Sequence, residues 1–214
     1  YQQVSEAKPK RMRRQQAART QKRYPTTVCL HALRPIREDV RALRDVITLA
    51  QAGYQVRVID VEHDPALPKR QRFVDLKEMN IILPEDERLQ QVIVEHICLS
   101  AKAKQHYGPA RYWRWLTFKV RRILLGTWHV LRIRADIYHA CDITALPACY
   151  IASRLRRKKL VFEPYELPLV QSHISRASRL QSFSIRALRF MMPACHAIIT
   201  TSPPWAVSYT HLRA

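Results

Sequence analysis

The sequence predicts an α/β fold: a doubly wound, mostly parallel sheet with helices on both faces. Three observations carry this. Short β-type runs alternate with helical stretches between residues 26 and 201. The first unit reads strand–helix–strand, which predicts two parallel strands joined by a right-handed crossover. Finally, 3 glycines in 214 residues argue against a β-sandwich, and no G-x-G-x-x-G or Walker pattern is present. Apolar residues at 47% supply a real core, and the length suits one α/β domain plus a tail.

The elements follow in order. Residues 1–23 have no apolar periodicity and read as a flexible basic arm. A domain is expected over 24–206. The final stretch 207–214, VSYTHLRA, does not continue the expected helix and reads as a spurious tail. Within the domain, 26–32 is a β-type run. Val40, Leu43, Ile47 and Ala50 form the apolar stripe of a helix over 38–52, and Gly53 ends it. Residues 54–61 make the next strand. The pattern then predicts a strand at 79–83, a helix at 86–104 and a long helix at 112–134. Beyond these lie a strand at 135–140, a helix at 143–155 with Asp142 as its N-cap, a strand at 159–163, a helix at 176–192 and a strand at 196–201.

The net charge is +20 and uneven. Residues 8–23 carry eight basic side chains and no acid, and 101–134 carry nine and no acid. Such a field attracts phosphate on lipid headgroups, nucleic acid or a nucleotide. No zinc-finger or RNP sequence accompanies it, so no specific nucleic-acid partner is expected. Trp113, Trp115 and Trp128 among the basic residues of 101–134 point to an anionic membrane surface, met in the interface plane. The longest apolar run, 123–131, is about half the ~20 residues of a spanning helix. Five cysteines at 29, 98, 141, 149 and 195 form no C-x-x-C pair, the pattern of reduced, buried thiols in a cytosolic protein.

Ligands of open parallel sheets bind outside the carboxyl ends of the strands. The residues to weigh are therefore His31 to Asp39, then His139, Cys141 and Asp142, then Glu163, Tyr165 and Glu166, and last Thr201 and Ser202. Each also has a structural reading: Asp142 as a cap, His139 as a core histidine, Glu163 and Glu166 as loop acids. His31, His139 and Cys141 lack two-plus-two ligand spacing, so no metal is expected.

Three segments resemble family 4 retaining glycosyltransferases. In DVRALRDVITLAQAGYQV (39–56), Asp39, Arg41, Leu49, Ala50, Gly53 and Val56 match D-P-R-V-x-x-E-A-x-x-L-A-x-x-G-H-x-V. In 135–166, His139, Asp142, Leu146, Pro147, Ala148 and Glu166 match A-D-[VI]-[YI]-H-A-H-D-…-LP-A-…-KLVYD-x-HE. Cys141, Glu163 and Tyr165 stand where His, Asp and His are usual. HAIITTS (196–202) is similar to the strand that ends the family's N-terminal domain.

The resemblance implies two Rossmann-like domains facing across a cleft, the B-type arrangement, with this chain as the N-terminal half. That half binds a glycan or lipid-linked acceptor. The C-terminal half binds the nucleotide-sugar and carries an E-x7-E pair, absent here, so no cofactor is expected in this domain. It further implies a hexosyltransferase-type enzyme, inactive as this half alone. Such an enzyme is cytoplasmic, on or near the inner face of the plasma membrane. Catalytic roles fall to His139 and Asp142, and acceptor binding to His31, Asp39, Arg41, Glu163, Tyr165 and Glu166. Two alternatives remain: a basic nucleic-acid-binding protein, and a Rossmann module that binds without catalysis. The sequence following residue 206 discriminates the glycosyltransferase reading from both.

Overall fold

The structure is a computed structural model that describes residues 25–76, 79, 82–99, 110–165 and 179–200. The arm at 1–23, Glu166, Thr201, Ser202 and the tail at 207–214 lie outside the described residues. The elements are β1 (Thr27–Ala32), α1 (Val40–Gln51), β2 (Gln55–Glu62), β3 (Arg70–Arg72), β4 (Ile93–Cys98), α2 (Ala110–Arg132), β5 (Ile137–Cys141), α3 (Leu146–Arg156), β6 (Lys159–Glu163), α4 (Arg179–Met191) and β7 (Ala197–Ile198). They form one seven-stranded sheet in the order β3-β4-β2-β1-β5-β6-β7. Every neighbouring pair is parallel except β3 against β4. The predicted doubly wound α/β sheet is therefore the fold observed.

α1 shows why the local sequence works. Asp39 caps it, its Oδ1 accepting the N–H groups of Arg41 and Ala42, both at 3.1 Å. A cap of this kind stabilises by about 1 kcal/mol. The helix ends where Gly53 takes φ +87°. Tyr54 N–H then reaches Leu49 O, and Gly53 N–H reaches Ala50 O, the paired bonds of a Schellman ending. Ala42, Leu43, Val46 and Ala50 are the buried face.

Alternation along the strands divides the core in two. Leu30, Val58 and Val94 join α1 and the turns at Phe73 and Leu89 on one face. Cys29, Ile59, Tyr138 and Phe162 join Val130 of α2, the inner face of α3 and Leu188 of α4 on the other.

Several boundaries differ from those the pattern predicts. The pattern makes residues 86–104 helical, but a short 3-10 turn at Glu87–Gln91 leads into strand β4. Ile93, Val94 and Ile97 are β-branched, and pairing with β2 from Arg57↔Ile93 to Glu62↔Cys98 offers a ladder that a short helix lacks. Met79, Ile82 and Leu83 are not in a strand; besides β4, a second strand the pattern did not predict, β3, lies at the edge. α3 begins at Leu146, with Ala145 at its N-cap position and Pro147 in its first turn. Asp142 is thus not its cap. Instead Asp142 accepts hydrogen bonds from Ile143 N–H at 2.7 Å and Thr144 Oγ1 at 3.2 Å, holding the turn before the helix. β7 contains only Ala197 and Ile198.

Candidate functional site

β1 and β5 lie side by side and end in register at Ala32↔Cys141. The chain leaves β1 toward β2 on one side and β5 toward β6 on the other. This is the reversal point where open sheets leave a crevice. A cavity of about 450 Å³ opens there. It is walled by the 33–39 loop, by His63 after β2, by Arg122 of α2, by Cys141, Asp142 and Thr144 after β5, and by Tyr165 after β6.

Buried polar bonds hold the walls. Asp60 Oδ2 accepts Ile36 N–H at 2.8 Å and its Oδ1 accepts His96 Nδ1–H at 2.6 Å. Gln71 donates its amide to the other imidazole nitrogen, at 2.8 Å. Glu62 Oε1 accepts from Arg37 at 3.2 Å and from His63 N–H at 2.7 Å. Asp60, Glu62 and His96 are of metal-ligating type and lie close together. The bonds to Asp60 and His96 give this group a structural role, which is to pin the 33–39 loop to β2 and β4.

Asp142 is the unusual residue of the cavity. Its φ is +83°, a region that costs a non-glycine residue on the order of 1 kcal/mol, with aspartate among the more tolerant. Its N–H is anchored to Glu163 O at 2.9 Å. Arg122 donates to Leu33 O from the opposite wall. Burial lowers the Arg122 pKa, as does Arg34, while Asp142 raises it. Arg122 thus feels both the Arg34 guanidinium and the Asp142 carboxylate. Glu38 and Asp39 add acid at its rim. Arg41 sits over the Tyr165 ring at 5.2 Å and points Nη1 at Tyr165 O, 3.5 Å away. Such a concave site, with charges of both signs and hydrogen-bonding groups around it, suits a polyhydroxylated or phosphorylated small molecule.

The structure brings together Asp39, Asp142 and Tyr165 on the cavity wall, with Arg41 stacked behind. It separates the others. His31 lies on the opposite face of the sheet beneath α2, Nδ1–H bonded to Ile59 O at 3.0 Å. Burial pushes its pKa down to about 4, so the ring is neutral. His139 and Glu163 lie beneath the cavity on the α1 face, both buried and absent from its lining. Burial lowers the His139 pKa too. Glu166 lies outside the described residues. Sequence reasoning did not single out Arg34, His63, Arg122 or Thr144. Arg34 and Glu38 fall in the 33–39 loop that strand-end reasoning does flag. Arg122 is visible only as one of nine basic residues, because its place depends on α2 folding back across β1.

No family model matches the chain, and no curated protein matches it in sequence. Solved structures do match in fold. Sucrose-phosphate synthase from Thermosynechococcus elongatus aligns with a TM-score of 0.52 at 12% identity, over 87% of this chain and 45% of that one. The trehalose-6-phosphate synthase structure from E. coli, with UDP-2-fluoro glucose bound, aligns with a TM-score of 0.52 at 10% identity, over 87% of this chain and 42% of that one. The chain spans less than half the length of these two proteins. Its described residues have the Rossmann-like fold found in B-type glycosyltransferases.

Proposed function

We propose that this chain is the acceptor-side half of a glycosyltransferase that moves a sugar, with retention, from a nucleotide-sugar to a glycan or lipid-linked acceptor. On this reading a second, donor-binding domain faces the cavity. Asp142 is the observation that carries it: a carboxylate held at φ +83° in the switch-point cavity. Backbone strain persists where surrounding structure enforces it, and such places concentrate at functional sites. Likeness to two glycosyltransferases over less than half of each supports the same reading, as do the three sequence segments of the resemblance.

In this scheme Asp142 accepts a hydrogen bond from the attacking hydroxyl and orients it. Arg34 and Arg122 offset negative charge, on a phosphorylated acceptor or on the departing phosphate. Tyr165, backed by Arg41, gives the sugar ring an apolar face. Asp39 holds the start of α1. His139 and Glu163 support the β5 and β6 ends from beneath. The outer side of α2 lies on an anionic membrane surface, which would bring a lipid-linked acceptor to the cavity.

The test is ligand-observed NMR of the chain against a panel of sugars and sugar phosphates. Contacts are expected with at least one class and should vanish in Asp142→Asn and Arg34→Gln at unchanged melting temperature. Contacts that survive both changes, or none across the panel, would count against the reading. The chain alone should turn over no nucleotide-sugar; turnover would overturn its assignment as the acceptor half.

A further inference from the structure

Beneath the cavity floor lies a second group of reactive side chains. Residues two apart on a strand face the same way, so His139 and Cys141 both point from β5 toward α1. The β5–β6 register sets Glu163 beside Cys141. Asp45, on the half-buried flank of α1, completes the group. One donor atom from each of the four lies within 4.8 Å of every other. A four-coordinate zinc with bonds of ~2.0–2.3 Å separates its ligand atoms by roughly 3.3–3.8 Å. His139 Nε2 and Glu163 Oε2 are already 3.3 Å apart. Tetrahedral ligation would require the other pairs, up to 4.8 Å apart, to close in.

Three of these atoms are poorly satisfied. His139 Nε2, Glu163 Oε2 and Asp45 Oδ2 are buried without a well-formed hydrogen bond, their contacts being the His139–Glu163 ion pair at 3.3 Å and the approach of the Asp45 and Glu163 carboxyls to one another. The His139 and Glu163 side chains are only 6% and 8% exposed. Buried polar groups in native proteins are almost always satisfied. At the Asp60–His96 pair both ring nitrogens and both carboxylate oxygens are engaged, although Glu62 Oε2 beside it is also buried without a hydrogen bond.

We propose that Asp45, His139, Cys141 and Glu163 form a binding site for a divalent transition-metal ion, zinc by the chemistry of its ligands. One thiolate, one imidazole and two carboxylates in a closed buried site suit tetrahedral zinc rather than calcium or magnesium, which take oxygen ligands alone. The ion would tie α1 to β5 and β6 directly below Asp142. Cys141 also lines the cavity, but the metal proposal does not rest on the sugar-transfer reading.

The experiment is metal analysis of the chain purified without chelator, with cobalt as a spectroscopic probe. About one zinc per chain is expected, with at least a tenfold loss in Glu163→Gln and in Cys141→Ser. After zinc is removed, Co²⁺ should give intense tetrahedral visible bands and a near-ultraviolet thiolate band. The thiolate band should be lost in Cys141→Ser and kept in Cys98→Ser, since Cys98 is exposed. Chelator should lower the melting temperature of the unaltered chain and added Zn²⁺ should restore it, a readout that stands even if the variants fold poorly. No zinc, an octahedral cobalt spectrum or a chelator-insensitive melting temperature would overturn the proposal, and would leave the two carboxyls sharing a proton.

Discussion

At the scale of single residues, Asp142 and His31 make sharp tests because each is held against its preference. At φ +83°, alanine at 142 keeps the strain and loses the hydrogen bonds to Ile143 and Thr144. Glycine loses the bonds and relieves the strain. Asparagine tolerates the conformation and keeps an acceptor. Stability by thermal melting should therefore run Asn at or above Gly, with Ala lowest by about 1–2 kcal/mol. Alanine above glycine would remove the argument from strain. His31 bears on acid sensitivity. Its native pKa of about 4 lies below the ordinary 6.5, so the unfolded chain takes up a proton before the folded one does. Stability is intact above pH 6.5, falls as pH drops from there toward 4, and changes no further below that. The loss is on the order of 3 kcal/mol. Denaturant titrations of His31→Gln over the same window should show a shallower fall; an unchanged slope would move the acid sensitivity elsewhere. His31 was legible as a strand-end residue, but its direction was not. The pleat that aims it at α2 is the one that aims Leu30 and Ala32 at α1.

At the scale of elements, α2 is tightly constrained on its inner side and open on its outer side. A Cβ on Gly126 would lie 2.7 Å from His31 Nε2, and that ring is pinned to Ile59 O on the far side. Gly126→Ala should therefore destabilise by about 1–3 kcal/mol, although alanine is the better helix former by about 1 kcal/mol. Adding His31→Ser should return most of the loss, and a double-mutant cycle without coupling would refute the contact. On the outer side Val120, Leu124 and Trp128 are 46%, 64% and 56% exposed at successive turns. Arg132 stacks 4.6 Å over the Trp128 ring. Among the described residues no helix is long and apolar enough to cross a membrane, whereas this face suits interfacial contact. The side chains of Trp113 and Trp115 lie outside the described residues. The chain should pellet with anionic vesicles more than neutral ones, less as salt rises and less in Trp128→Ala. Equal pelleting with both lipids, or none, would end the membrane reading. The length and polarity of α2 were legible from its periodicity. β4 was not, because a run of six residues such as IVEHIC takes its conformation from the strand it pairs with.

At the scale of the whole molecule, the alternation of strands and helices, the cap at Asp39 and the turn at Gly53 are properties of neighbouring residues. Backbone sterics, capping and side-chain periodicity act over a few positions, so the sequence by itself determined the α/β class, most element positions, and the strand ends as the places to look. Strand order, the crevice between β1 and β5, and the face each side chain takes depend on segments far apart in the chain meeting. Arg34 and Arg122 share a cavity only because α2 crosses back over β1. Asp45 meets His139, Cys141 and Glu163 only because α1, packed over β1 and β2, brings that flank to the edge of β5 and β6. No local spacing encodes either meeting, because burial and register reward them only once the sheet has assembled.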